Sequence, residues 1–339
     1  MQIDLRSDTV TRPTPGMLKF MFDAKVGDDV FNEDPTIKKL EDKAAAIFGK
    51  QAGLYCPSGT MTNQIAIKVH TQPGDELLCD VTAHVYNYEG GGISFNSGVQ
   101  AKLINGDNGR FTAKQVEQNL HPDADWLPRT SLVTIENTSN RGGGTYYQIK
   151  NVKEISQVCK KNKLNLHLDG ARIFNALTET GENPKEYGKV CDSISVCLSK
   201  GLGAPVGSVL LGSTEFIAKA KRIRKLFGGG MRQAGYLAAA GIYALDNNIK
   251  RLKEDHQRAK HIAKILENKS CVTNMLPVET NIIIFSLDKS MPAEKFTNAL
   301  KKDDIIVSSM GSNVLRMVTH LDFNDKMLKT VENSLKKIK

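Results

Sequence analysis

Residues 192–207, DSISVCLSKGLGAPVG, join an apolar run to a loop of small residues through Lys200. Such a run, bounded by turn residues, is typical of a buried strand, which we predict over 192–198. Lysine is an unusual residue to end this strand, because removing its ammonium from water is costly. The same desolvation lowers the pKa of the amine and makes it available as a nucleophile. We therefore interpret Lys200 as a candidate Schiff-base lysine, with an exposed loop lysine as the alternative.

On both sides of this segment, short apolar runs alternate with stretches of helical periodicity. This alternation is the pattern of βαβ units, in which a mostly parallel sheet is covered by helices, so the predicted fold class is α/β. The predicted strands are 76–79, 101–104, 131–135, 164–168, 192–198 and 207–211, and the predicted helices are 36–48, 60–71, 112–120, 150–162 and 214–227. Ligands bind at the carboxyl ends of such strands, so we expect the functional loops there.

The pattern changes after residue 230. A helical stretch covers 232–269 with a break near 246–248, and a smaller α+β unit follows it. The predicted strands of that unit are 280–286, 305–308 and 314–318, and its predicted helices are 292–301 and 323–338. We therefore divide the chain into an N-terminal arm (1–15), a large α/β domain (16–245), and a connecting helix with a small C-terminal α+β domain (246–339).

Composition and charge argue against several classes of protein. Of the 339 residues, 40% are hydrophobic and 24% are charged, which is typical of a folded globular protein. The net charge of +9 is spread over helix faces such as 150–163 and 249–269, and no compact nucleic-acid-binding signature is present. We therefore expect a small-molecule ligand, and no nucleic acid.

The N-terminal segment and the cysteine spacing predict a cytoplasmic protein without a metal site. Asp4 and Arg6 stand where an export signal needs an apolar run, and no stretch approaches the ~18 apolar residues of a membrane span. The six cysteines form no C-x-x-C pair and no spacing that suits zinc. We interpret them as reduced, mostly buried thiols.

Two further segments carry groups that suit the same chemistry as Lys200. In LNLHLDGAR, residues 164–172, a strand would deliver Asp169 and Arg172 to the ligand-binding edge, although Asp169 as a helix cap is an alternative. In PSGTMTN, residues 57–63, a glycine turn opens a helix, and such a turn either binds phosphate or simply caps the helix. A phosphate cradle, a carboxylate for a ring nitrogen and an amine for an aldehyde are together what a pyridoxal 5′-phosphate site requires.

Nine segments form an ordered pattern along nearly the whole chain. They are LRSDTVTRP (5–13), GDDVFNEDP (27–35), SGTMTN (58–63), AHVYNYE (83–89), ENT (136–138), HLDGAR (167–172), CLSKGLG (197–203), FGGGMRQ (227–233) and LRMVTHL (315–321). This pattern resembles the threonine aldolase family of fold-type I pyridoxal-phosphate enzymes. The resemblance implies an aspartate aminotransferase-like large domain and a homotetramer, a dimer of dimers with active sites shared between subunits.

The resemblance also implies roles for single residues. Lys200 would bind the cofactor aldehyde, and Asp169 would pair with the ring nitrogen. His84 would stack on the ring near the substrate hydroxyl, with Glu89 close to its loop. The implied cofactor-binding residues are Ser58, Gly59, Thr60, His84, Asp169, Arg172 and Lys200, with Lys225 and Arg232 from a neighbouring subunit. The implied substrate-binding residues are Ser7, Glu89, Arg172 and Arg316.

Two positions depart from the family pattern. Trp126 stands shortly before Arg129-Thr130, where many relatives carry a histidine. Ser139 follows Glu-Asn-Thr, where many relatives carry a second histidine. The loop from Asn140 is also longer and richer in glycine than the family form. Fewer imidazoles are therefore expected near the β-carbon of the substrate, and His84 becomes the leading candidate base.

The reaction that the resemblance implies is reversible cleavage of L-threonine or L-allo-threonine to glycine and acetaldehyde. Other pyridoxal-phosphate reactions, such as β-elimination from an aromatic or serine-like amino acid, require a different bond at Cα to lie perpendicular to the ring. Sequence does not reveal that angle, so a β-eliminating lyase is the alternative. A basic binding protein without catalysis is an alternative of a different class.

Overall fold

The computed structural model describes residues 2–338. Its strands are β1 (Ile3–Asp4), β2 (Ala52–Cys56), β3 (Glu76–Asp80), β4 (Gln100–Ile104), β5 (Thr130–Glu136), β6 (Asn165–Gly170), β7 (Ser193–Cys197), β8 (Ser208–Gly212), β9 (Val272–Met275), β10 (Ile282–Leu287), β11 (Ile305–Ile306), β12 (Ser308–Ser309) and β13 (Val314–Val318). Its α-helices are α1 (Pro15–Phe22), α2 (Pro35–Phe48), α3 (Gly59–His70), α4 (His84–Asn87), α5 (Gly92–Ser97), α6 (Ala113–Asn119), α7 (Ile149–Lys161), α8 (Ile173–Thr180), α9 (Pro184–Val190), α10 (Thr214–Leu226), α11 (Gly235–Asn247), α12 (Leu252–Glu267), α13 (Ala293–Lys301) and α14 (Asp325–Lys337). Short 3₁₀ helices cover Asp8–Val10 and Asp29–Phe31.

A seven-stranded sheet forms the centre of the molecule. Its order is β2-β8-β7-β6-β5-β3-β4. The pairs from β7 through to β4 are parallel, whereas β8 runs antiparallel to both β2 and β7. This confirms the predicted mostly parallel sheet. It also places the carboxyl ends of β2, β3, β5, β6 and β7 at one edge.

Helices cover both faces of this sheet. Along β8, Val209 and Leu211 pack into the main core, which includes α2, α7, α8 and α11, whereas Leu210 packs into a second core with α3 and α10. Successive side chains of a strand point to opposite faces, so the two cores lie on opposite sides of the sheet. The apolar, nearly unbroken strands that the sequence shows follow from this burial on both faces.

The C-terminal unit has its own sheet and core. The antiparallel order is β12-β13-β10-β9, and residues from α12, α13 and α14 pack on it. The N-terminal arm joins this unit, because β1 pairs in parallel with β11 and both Ile3 and Leu5 are buried in its core. The boundary at 245/246 stays a prediction, since Leu252 at the start of α12 still packs in the main core.

Several elements differ from the sequence-based expectations. The strand β2 was not predicted, because its five residues include Gly53 and its strand character depends on pairing with the distant β8. Helices α1 and α8 were also not predicted. Strand β6 runs to Gly170, so Asp169 lies inside the strand. By contrast, the predicted break within 232–269 is confirmed, because this stretch forms two helices, α11 and α12.

Two further findings concern membrane-spanning helices and the cysteines. Within residues 2–338, no helix has both the length and the apolar character that crossing a membrane needs. All six cysteines are buried and unpaired, as predicted.

Candidate active site

Polar side chains align across the carboxyl ends of the central strands. The register pairs Glu136 of β5 with Asp169 of β6, and Asp169 with Ser195 of β7. A little further along the chain, Lys200 lies in the loop that leads from β7 into β8. Parallel strands end at one edge of a sheet, and for this reason groups from distant segments meet here.

These strand ends face a pocket of about 340 Å³. It is lined by five of the residues that the sequence analysis singled out, namely Ser7, His84, Arg172, Lys200 and Arg316. They come from the N-terminal arm, the large sheet and the C-terminal unit. The pocket therefore lies where all three parts of the chain meet.

Asp169, one residue before the end of β6, is buried without a cationic partner. Its Oδ2 accepts a hydrogen bond of 2.8 Å from Asn63 Nδ2, and its Oδ1 accepts the Ala171 N–H at 3.1 Å. Among the residues that the structure describes, no lysine, arginine or histidine forms an ion pair with it. A buried carboxylate is costly unless a positive charge compensates it, and a protonated ring nitrogen is a suitable partner.

His84 begins α4 and is held by Glu89. The His84 Nδ1 lies 2.9 Å from Glu89 Oε1, and Asn63 and Gln64 donate amide hydrogen bonds to the same carboxylate at 2.9 and 2.7 Å. A carboxylate that accepts from two amides also accepts from Nδ1–H. This assignment leaves Nε2 as the nitrogen that can take up a proton.

The charges around His84 favour its protonated form. Burial disfavours that form, but the hydrogen bond to Glu89 and the charges of Asp169, Glu89 and Glu136 outweigh burial and raise the pKa of His84. One ring nitrogen of His84, one carboxylate oxygen of Glu89 and one of Asp169 all lie within 4.8 Å of one another. The imidazole and the two carboxylates therefore form one compact cluster beside the pocket.

Glu136 connects two loops of the pocket. Its Oε2 accepts the His84 N–H and its Oε1 accepts the Asn140 N–H, both at 2.9 Å. The Asn140 Oδ1 in turn accepts a 2.9 Å hydrogen bond from Arg316 Nη1. Burial, reinforced by the charge of Asp169, raises the pKa of Glu136 to about 7. One buried carboxyl thus couples the His84 loop to the loop that contacts Arg316.

The two arginines expected at the substrate carboxylate differ in their partners. Arg172 is buried, and its Nε and Nη2 donate to the two oxygens of Asp8, each at 2.7 Å. Arg316 donates to two neutral oxygens, Asn140 Oδ1 and the Arg6 carbonyl, and its Nε has no partner among the described residues. Bidentate binding of a carboxylate needs free donors, so Arg316 is the better placed of the two.

The glycine turn after β2 has the features of an anion site. Ser58 Oγ accepts the Met61 N–H at 3.1 Å, and the first N–H groups of α3, at Gly59 and Thr60, point out of the helix end. A Cβ at Gly59 would lie 3.5 Å from Ser208 Oγ, a buried hydroxyl that has no hydrogen-bond partner within residues 2–338. Several donors therefore surround a position that a larger side chain would fill.

Lys225 and Arg232 lie away from the pocket of their own chain. Arg232 Nη1 pairs with Asp28 Oδ2 at 2.9 Å, and neither residue lines the pocket. Near the end of α10, Arg224 is buried and paired with Asp29, whereas Lys225 is exposed. The contribution of Lys225 and Arg232 to a neighbouring site stays a prediction.

Comparison with known proteins identifies the family. A family model of β-eliminating lyases matches residues 4–290. Low-specificity L-threonine aldolase 1 of Arabidopsis thaliana is 41% identical over 325 residues, which cover 94% of this chain and 91% of that protein. Low specificity L-threonine aldolase of Escherichia coli is 41% identical over 330 residues, which cover 97% of each protein. The chain belongs to the low-specificity L-threonine aldolase family.

The fold agrees with this membership. The structure of threonine aldolase from Leishmania major superposes with a TM-score of 0.86, covering 99% of both chains at 20% sequence identity. This confirms the expected fold class, a large α/β domain of fold type I.

The two departures from the aldolase family pattern lie outside the pocket. The Trp126 side chain is 81% exposed, and Ser139 is buried with its Oγ accepting the Gly142 N–H at 3.1 Å. Neither lines the pocket, and among the described residues His84 is the histidine that does. The glycine-rich loop that begins at Asn140 supplies two lining residues, Asn140 and Arg141.

Several residues of the site were not recognised from the sequence. Asp8, Asn63 and Glu136 stand inside segments that resemble the aldolases, but their spacing does not show which side chain each would contact. Tyr88 and Arg141 line the pocket, and no sequence pattern pointed to Arg141. For Asp8, Asn63, Glu136 and Tyr88, the available signal was thus their position inside a segment that resembles the aldolases.

Proposed function

We propose that this chain cleaves L-threonine and L-allo-threonine reversibly to glycine and acetaldehyde, as a pyridoxal 5′-phosphate-dependent carbon–carbon lyase. The observation that carries the proposal is the position of His84, which shares one pocket with the Lys200 amine and the Arg316 guanidinium. Cleavage of a β-hydroxy-α-amino acid requires an amine to hold the cofactor, a group that binds the carboxylate, and a base for the hydroxyl proton.

The residues present suit this cofactor. Lys200 offers a primary amine for its aldehyde, Asp169 a buried carboxylate for its ring nitrogen, and the turn at Gly59 several donors for its phosphate. When bound, pyridoxal 5′-phosphate supplies a protonated ring that accepts the electron pair released at Cα. Asp169 keeps that proton in place, because a neighbouring negative charge disfavours its loss.

The chain then orients the substrate and moves one proton. Arg316 binds the α-carboxylate and so restricts rotation about the bonds to Cα. His84 Nε2 accepts the β-hydroxyl proton while the Cα–Cβ bond breaks, and the hydroxyl oxygen becomes the carbonyl oxygen of acetaldehyde. Glu89 stabilises the positive charge that His84 then carries.

A β-eliminating reaction is the second candidate, because the matching family model bears that name. The two reactions differ in the bond at Cα that is cleaved, and therefore in their products. Elimination releases ammonia and a keto acid, whereas aldol cleavage releases glycine and an aldehyde.

We also propose a cytoplasmic homotetramer in which Lys225 and Arg232 complete the phosphate site of a neighbouring subunit. Exposed apolar side chains support an interface near these two cations. Phe31, 67% exposed, lies close to Asp28, the partner of Arg232, and Leu226, 72% exposed, follows Lys225. A contiguous patch of such exposed apolar residues is typical of a contact surface.

The decisive experiment is a product assay with purified enzyme and L-threonine. We expect glycine and acetaldehyde in equal amounts, and bound cofactor that borohydride traps on Lys200. Lys200→Ala should remove turnover while the chain stays folded. Ammonia with a keto acid in place of glycine would favour the lyase, and a folded Lys200→Ala enzyme with near-wild-type activity would refute the central role of Lys200.

A further inference from the structure

The pocket holds more positive charge than one α-carboxylate needs. Four cationic side chains line it, Arg141, Arg172, Lys200 and Arg316. Asp8 neutralises Arg172, and the proposed function assigns Lys200 to the cofactor. Within residues 2–338, neither Arg141 nor Arg316 forms an ion pair with a carboxylate. Two guanidiniums therefore remain available to an anionic ligand.

Arg141 lies on the side of the pocket that His84 occupies. Its Nη1 donates a 2.6 Å hydrogen bond to Tyr88 Oη, and its Cζ lies 5.9 Å from the centre of the Tyr88 ring. The Tyr88 ring centre is in turn 5.6 Å from that of His84. His84 is assigned to the β-hydroxyl, so Arg141 lies near the β-substituent of the substrate.

The two free guanidiniums share one small space. Burial and the charges of Arg172 and Arg141 lower the pKa of Arg316, which means that these cations repel one another across the pocket. Like charges in a partly buried cleft attract anions of opposite sign and bind best a ligand that meets each of them. A substrate with a second carboxylate on its β-substituent would meet both Arg316 and Arg141.

We propose that Arg141 recognises an acidic group on the β-substituent, so that this enzyme cleaves β-hydroxy-α-amino acids with a second carboxylate. The inference rests on the proposed aldolase function and adds a substrate class to it. β-Hydroxyaspartate is the simplest member. Its Cα–Cβ bond breaks, His84 takes the β-hydroxyl proton, that oxygen becomes the aldehyde oxygen of glyoxylate, and Cα gains a proton to give glycine.

The test compares L-β-hydroxyaspartate with L-β-hydroxyasparagine, a neutral amide of nearly the same size. We expect kcat/KM for the acid to exceed that for the amide by about tenfold or more, because charge-assisted hydrogen bonds are stronger than neutral ones. This preference should shrink as NaCl is added, since salt screens exposed charges. A wild-type enzyme without the preference would overturn the inference.

Three variants test whether Arg141 causes the preference for the acid over the amide. Arg141→Gln should reduce the ratio of the two kcat/KM values to near one, whereas Arg141→Lys should retain part of it. The control Lys264→Gln removes one positive charge from the exposed face of α12 and should leave the ratio unchanged. An unchanged ratio in Arg141→Gln would contradict the inference.

Assays with threonine distinguish failure of the inference about Arg141 from failure of the proposed function. If Arg141→Gln lowers kcat/KM for threonine as much as for β-hydroxyaspartate, Arg141 binds the α-carboxylate and the inference is wrong. If the wild-type enzyme releases no glycine from threonine, the proposed function itself fails. If threonine is cleaved but no preference for the acid exists, only the inference about Arg141 fails.

Discussion

His84 lies among three carboxylates that together control its proton. Burial disfavours the imidazolium, but Glu89, Asp169 and Glu136 outweigh it and raise the pKa of His84. A general base acts in its neutral form, so kcat should rise with pH through a midpoint above ~6.5. His84→Asn cannot accept this proton near neutral pH, and we expect kcat to fall by about 10²-fold or more and to lose that pH dependence. The pH–rate profile measures both effects.

Two matched variants test this assignment. Glu89→Gln removes the carboxylate that stabilises the imidazolium, so the midpoint of the profile should move to lower pH. Trp126→Phe changes an exposed residue outside the pocket and should leave kcat within a few-fold of wild type. Retention of more than half of the activity by His84→Asn, with near-total loss in Trp126→Phe, would show that the tryptophan serves the substrate site.

The buried ion pair between Asp8 and Arg172 joins the N-terminal arm to the large domain. Burial alone would raise the pKa of Asp8, but Arg172 lowers it to about 2, against an ordinary value of 3.8. The pair therefore contributes stability above pH 3.8 that is lost as the pH falls towards 2. Asp8→Asn should lower the free energy of unfolding by about 3–5 kcal/mol at neutral pH, because it leaves the Arg172 charge buried and unpaired.

Urea unfolding at several pH values measures this contribution. The difference between wild type and Asp8→Asn should shrink between pH 4 and pH 2, where Asp8 of the wild-type protein becomes protonated. A constant difference over that range would indicate that packing, and not the ion pair, accounts for the loss.

Among the secondary-structure elements, β8 and the arm strand β1 decide how the site is built. Because β8 runs antiparallel between β2 and β7, Ser208 at its start pairs with both Cys56 and Cys197. The short loop that leads from β7 to β8 and contains Lys200 therefore begins and ends at the edge where β2 leads into the glycine turn. A parallel β8 would begin at the opposite edge, so β7 would need a crossover connection in place of this short loop.

The arm strand β1 should contribute substantially to the stability of the C-terminal unit. Leu5 is fully buried there with Ile305 and Met317, and its carbonyl accepts the Val318 N–H at 2.8 Å. Leu5→Ala should lower the free energy of unfolding by about 2–5 kcal/mol, through lost burial and the cavity that remains. Urea unfolding checks this value.

The neighbouring Arg6 supplies the control for that measurement. Its side chain is exposed and pairs with Asp4, an arrangement that adds little to stability. Arg6→Ala should therefore unfold close to wild type. If Leu5→Ala also unfolds at the wild-type urea concentration, the arm is not part of the cooperative core.

At the scale of the whole molecule, the proposed sharing of a site between subunits predicts rescue between inactive chains. Lys200→Ala and Arg232→Ala should each be inactive or nearly so. After random subunit exchange, half of the dimers are mixed and each mixed dimer has one intact site of two, so activity should return to about a quarter of wild type. Activity is measured before and after exchange.

A second mixture controls for this result. Lys200 and Asp169 belong to the site of the same chain, so exchange between Lys200→Ala and Asp169→Asn should restore no activity. Full activity in a chain that sedimentation shows to be monomeric at the assay concentration would rule out the shared site.

Candidate site residues could be proposed from the sequence where a local pattern points to the chemistry. Lys200 follows a predicted strand, and the Gly59 turn precedes a predicted helix. Both predictions depend on local apolar periodicity. The partners of these residues were not predictable in the same way. Glu136 with Asn140, and Asp8 with Arg172, are side-chain contacts whose hydrogen bonds leave no periodic trace in the chain.

Local patterns in the amino-acid sequence were thus sufficient for the α/β class, the strand ends that present Lys200 and Asp169, and the family, because these depend on burial and on contiguous motifs. Tertiary structure decided the reversed direction of β8, the docking of β1 on β11, and the position of Arg141 over Tyr88 beside His84. Each of these brings together residues far apart in the chain. Their energies come from packing and hydrogen bonds that exist only once the chain has folded.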